Sequence, residues 1–117
     1  MALLNIQEMH LEGVDIIFTA ADRRGDHAVF GNKDRPILLV RNKSSDGVIV
    51  TIKGKIPDRR NKIYDMEVLV PPGEEAYYLS ISGIRREQMN NGKARADFAY
   101  SSVADLQVAF AVIKELS

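Results

Sequence analysis

The chain has no cysteine and no tryptophan, only two histidines, His10 and His27, and no net charge. Without cysteine there is no disulfide framework, no thiolate metal site and no cysteine nucleophile. Without net charge there is no whole-molecule field to collect nucleic acid. Aromatics make up 7% of residues, too few for the exposed ring platforms on which carbohydrate and single-stranded nucleic acid stack. No stretch is long and apolar enough to span a membrane, and the start MALLNIQEMHLEG lacks the basic n-region of a signal peptide.

What is present is a domain-sized chain of 117 residues with an ordinary hydrophobic fraction of 45%. Period-2 alternation dominates it. Val48, Val50 and Ile52 alternate with Ile49, Thr51 and Lys53. Tyr64, Met66, Val68 and Val70 form a second such series. Ala94, Ala96, Phe98 and Tyr100 form a third, and Leu106, Val108, Phe110 and Val112 a fourth. Successive side chains of a strand point to opposite faces, so each series is a strand with one core face. Ile37–Val40 is apolar on both faces and reads as a central strand; 15–19, 28–30 and 76–81 complete about eight strands.

Turn chemistry separates these runs. Asn42–Gly47 ends in Asp46-Gly47, a hairpin signal, and Pro71-Pro72-Gly73 ends the strand before it. Asn90-Asn91-Gly92 is a further tight turn, and Ser82–Asn90 is the one place for a short helical turn. Short strands with frequent turns predict an all-β fold: a single-domain antiparallel β-sandwich, jelly-roll or immunoglobulin-like, over residues 14–117. Residues 1–13, with Leu3, Leu4, Ile6, Met9 and Leu11, are either an edge strand or an N-terminal arm laid on a neighbour. The Tyr77-Tyr78 pair is expected to place one ring in the core.

No catalytic signature is present: no HExxH, no glycine-rich phosphate loop and no GxSxG. His10, His27, Asp22 and Asp26 are not spaced for zinc. Glu74-Glu75 are adjacent and point apart in a strand. Arg24-Gly25-Asp26 and the sequon Asn42-Lys43-Ser44 are short matches of the kind expected by chance. The expectation is therefore a protein that is not an enzyme, with no cofactor and no metal.

Charge is segregated along the chain. Residues 23–62 carry eleven basic and four acidic residues, a balance of +7, and the remainder carries −7. Within that region 55–62 (KIPDRRNK) reads as a polar, flexible protrusion. Lys53, Lys55, Arg59, Arg60 and Lys62, with Leu3, Leu4 and Ile6 of the N-terminal segment, are the candidate partner-binding residues.

The stretch from His27 to Glu115 resembles a family of small virion proteins of tailed bacteriophages and prophages, encoded beside the major capsid protein. The likeness runs in order through Asn32–Asn42, Val48–Ile52, Asp65–Glu74 with its valine-proline-x-glycine turn, Asn90-Asn91-Gly92 leading to Ala96–Val103, and Leu106–Ile113. Residues 1–26 lie outside it, and Ser80–Met89 lacks the prolines of related sequences. The resemblance implies a head-associated structural protein on the virion, made in the host cytoplasm. It implies capsid decoration or cementing, with the major capsid protein or other virion proteins as partners and a homo-oligomer such as a trimer as one possible form. The alternatives are a head–tail connector or tail component, or a small carbohydrate- or protein-binding module. Removal of residues 1–13 is expected to weaken particle binding and leave the fold intact.

Overall fold

A computed structural model describes residues 2–9 and 16–113. Among the described residues the fold is all-β, with eleven strands in two facing sheets and one 3-10 turn at Gly83–Arg85. The first sheet runs β1 (Ala2–Leu3), β4 (Asp26–Gly31), β10 (Lys93–Tyr100), β6 (Val48–Ile52), β7 (Met66–Val70), with β9 (Glu87–Gln88) also paired to β10. The second runs β2 (Ile6–Met9), β11 (Leu106–Ile113), β5 (Arg35–Asn42), β8 (Tyr77–Ser80), with β3 (Thr19–Ala20) also on β11. The expected sandwich is observed, with one refinement. The ladders are antiparallel except at the N-terminal segment, where β1 lies parallel to β4 and β2 parallel to β11.

The alternating series become the two inner faces. Ala28 and Phe30 of β4, Ala94, Ala96 and Phe98 of β10, and Val48, Val50 and Ile52 of β6 meet Leu38 and Val40 of β5 and Leu106, Val108, Phe110 and Val112 of β11. The Phe110 ring lies 5.4 Å from that of Phe30 and 6.1 Å from that of Phe98. Ala94 sits directly opposite Phe30 in the ladder, a small residue beside a large one, which lets the rings interdigitate. Truncating Phe110 to Ala would cost about 3–5 kcal/mol on the usual scale for buried aromatics.

Several expectations are corrected. Asn42–Gly47 is not a hairpin: it carries the chain from β5 in one sheet to β6 in the other. The reason is Asn42, whose side chain is fully buried. Its Nδ2 donates to the carbonyls of Asp46 at 2.7 Å and Val70 at 3.0 Å, and its Oδ1 accepts from the Ser44 amide and hydroxyl. Neither tyrosine of Tyr77-Tyr78 enters the core, because β8 is an edge strand and both rings stay exposed. The strand expected at 15–19 is reduced to Thr19–Ala20; Asp15 lies outside the described residues, as do His10 and Leu11.

The N-terminal segment joins both sheets. Leu3 pairs with His27 of the first sheet, Ile6 pairs with Phe110 of the second, and Leu4 between them is a core residue at 6% exposure. Removal of this segment empties the Leu4 site and strips an edge from each sheet, so its deletion is now expected to cost stability as well as any contact it makes. The chain returns at 16–18 over the outer face of the second sheet. There Ile16 and Phe18 pack on Leu39, Ala109 and Ala111, and Gln7 holds the Ile17 backbone by two hydrogen bonds of 2.8 Å.

Candidate functional site: a stapled basic loop

The β6–β7 connection, residues 53–65, gathers all five basic candidates and divides them by task. Lys55 forms an ion pair with Asp97 of β10, which Arg95 also holds at 2.8 Å. Lys53 lies 3.7 Å from Asp65 at the loop's far limb, and its backbone amide donates to the Asp97 carbonyl at 3.0 Å. Burial alone would raise the Asp97 carboxyl above its ordinary value, but the hydrogen bonds from Lys55 and Arg95 outweigh it and hold the group low. Lys53 and Lys55 therefore anchor the loop.

At the neck the two limbs touch. A Cβ on Gly54 would stand 2.3 Å from the Tyr64 carbonyl oxygen and 2.9 Å from Ile63 Cγ2, so only glycine lets the limbs approach this closely. The Gly54 amide donates to Asp65 Oδ1 at 2.9 Å. At the tip, Asp58 Oδ1 accepts from the amides of Arg60 at 2.8 Å and Lys62 at 3.1 Å, while Asn61 takes a left-handed φ of 59°. Asparagine tolerates that conformation better than most residues. The protrusion expected to be flexible is thus hydrogen-bonded at neck and tip.

Arg59, Arg60 and Lys62 are exposed on this tip, with no carboxylate partner among the described residues. Ile56, Ile63 and Tyr64 are exposed beside them, Ile63 at 56% and Tyr64 at 50%. Sequence reasoning missed this apolar component: the alternation assigns Tyr64 to a strand, but β7 begins only at Met66. Three isolated apolar residues on a charged loop carry no periodic signal.

The N-terminal candidates separate. Leu3 is 61% exposed on the outer face of the first sheet, in a ladder row with His27 and Asp97, on the same sheet as the loop. Ile6 is 42% exposed on the edge of the other sheet. Leu4 is withdrawn as a contact residue because it is buried.

The other motifs are structural as well. Asp26 of Arg24-Gly25-Asp26 is 1% exposed and accepts a hydrogen bond of 2.7 Å from the Tyr100 hydroxyl, so its carboxylate is not presented outward. Burial raises the Asp26 carboxyl above its ordinary value, against the hydrogen bonds from Tyr100 and the Asp22 amide; Tyr100 is raised in turn by burial and by Asp26. Asn42 of the sequon is fully buried with its amide engaged, which leaves no room for a glycan. Among the described residues no group of three or more His, Asp or Glu converges to hold a metal ion. No family model, curated protein or solved structure matches the chain.

Proposed function

We propose that the chain is a non-enzymatic structural protein of a tailed-phage particle, which decorates or cements the capsid by bridging neighbouring subunits. The observation that carries this reading is the 53–65 loop. Its backbone is hydrogen-bonded at neck and tip before any partner arrives, and such preorganisation of the backbone that carries the cations and exposed apolar side chains lowers the ordering cost of binding. The segment order between His27 and Glu115 supports the same reading through the resemblance. Each contact is small, and a shell presents many identical ones, so binding strength comes from multivalency.

The second reading is a head–tail connector or tail component. It is favoured by the opposite charge of the two ends of the sandwich, which suits a contact repeated from subunit to subunit. Adding the purified protein to particles that lack it and sedimenting them tests the role. Saturable co-sedimentation, weakened by added salt, is the expected result; protein left wholly in the supernatant would contradict it.

A further inference from the structure

The strand directions place the loops of the sandwich at two opposite ends. One end holds segments 32–34, 53–65 and 81–92. It carries Lys33, Lys53, Lys55, Arg59, Arg60, Lys62, Arg85 and Arg86 against Asp34, Asp58, Asp65 and Glu87. The other end holds 21–25, 43–47, 71–76 and 101–105. It carries Asp22, Asp46, Glu74, Glu75 and Asp105 against Arg23, Arg24 and Lys43. The two ends thus differ in charge, +4 (8 against 4) at the first and −2 (3 against 5) at the second.

On the outer face of the second sheet, toward the acidic end, lies an open groove of about 520 Å³. Its floor is Leu39 and Phe18, with Tyr78 on one side and Glu74 and Glu75 on its rim. Arg41, the groove's own cation, stacks 4.1 Å from the Phe18 ring centre and donates to Gln107 at 3.4 Å, while its Nε is buried without a hydrogen-bond partner among the described residues; it keeps its charge, and the two rim carboxylates outnumber it. Glu74 has Lys43 at 3.9 Å, a weak and exposed pair, and no ion pair holds Glu75 among the described residues. Carboxylates over an apolar, aromatic floor fit an arginine pair, since guanidinium groups both fork onto carboxylates and stack on rings.

We propose that this groove receives the Asp58–Lys62 tip of a second copy of the chain, Arg59 and Arg60 meeting Glu74 and Glu75. The groove and the tip lie at opposite ends of one molecule, so they meet only between copies. The contact is heterologous, and repetition closes a ring or extends a row. This inference names the partner of the loop and rests on reading that loop as a contact surface.

The test is sedimentation velocity of the purified protein at low and high salt, with two charge reversals, Arg59→Glu/Arg60→Glu and Glu74→Arg/Glu75→Arg. The wild type is expected to self-associate at low salt and dissociate at high salt, and each variant to sediment as a monomer. An equimolar mixture of the two variants restores both pairings and is expected to re-associate, which also shows that each variant is folded. A wild type that stays monomeric at low salt, or variants that associate as the wild type does, overturns the inference. Co-sedimentation of that monomeric wild type with particles would leave the virion role standing, so the two failures are distinguishable.

Discussion

Asp26 and Tyr100 show how a pair of residues sets a pH response. Burial raises the folded-state carboxyl above its ordinary value of 3.8, so its favourable contribution is complete below that value and is lost as pH rises through the folded value. The Tyr100 hydrogen bond limits the loss by stabilising the charged form. Tyr100→Phe is therefore expected to cost about 1.5–3 kcal/mol at neutral pH, the range for a bond to a charged group. The cost is expected to shrink as pH falls toward 4 and Asp26 takes up a proton. Urea denaturation across that range checks it; a penalty independent of pH would contradict the assignment. Little of this was legible in the sequence. Arg24-Gly25-Asp26 and Asn42-Lys43-Ser44 read as surface motifs because local composition is polar, whereas Tyr100 and Val70, which hold Asp26 and Asn42, are far along the chain.

At the scale of elements, alternation was a sound guide wherever one face met the core. Leu106, Val108, Phe110 and Val112 are all buried as their spacing requires. The opposite face of the same strand was opaque: Ala109 and Ala111 are buried too, under 16–18, and alanine gives no sign of which environment it occupies. The basic loop was visible as a charge run, but its division of labour was not, since the acid that claims Lys55, Asp97, is distant in sequence and the pairing of Lys53 with Asp65 depends on how the loop closes. Gly54 makes that architecture testable. Gly54→Ala forces the limbs apart against a backbone oxygen that cannot yield alone, and is expected to destabilise by about 1–3 kcal/mol, as overpacking does. Because the tip is carried on the displaced limbs, the variant is also expected to bind particles more weakly than its stability loss explains. A variant with wild-type urea midpoint and wild-type particle binding would show that the neck does not position the tip.

At the scale of the molecule, the N-terminal segment and the end-to-end charge matter most. Residues 2–9 join the two sheets through Leu4, so the segment belongs to the fold, and in the proposed role contact with neighbours falls chiefly to the loop. Zero net charge hid the polarity, because a sum over the whole chain does not show where charges of either sign gather; the uneven balance of 23–62 was a partial trace of it in the sequence. A basic end and an acidic, apolar-floored groove toward the other end are the two surfaces that the proposed contact between copies uses. The most direct test of the proposed virion role is quantitative mass spectrometry of phage particles purified from a lysate of the source host. A copy number comparable to that of the major capsid protein is the result expected of a decoration protein, and a few copies per particle would move the role to the connector or tail. Absence from the particles would contradict the structural virion role altogether.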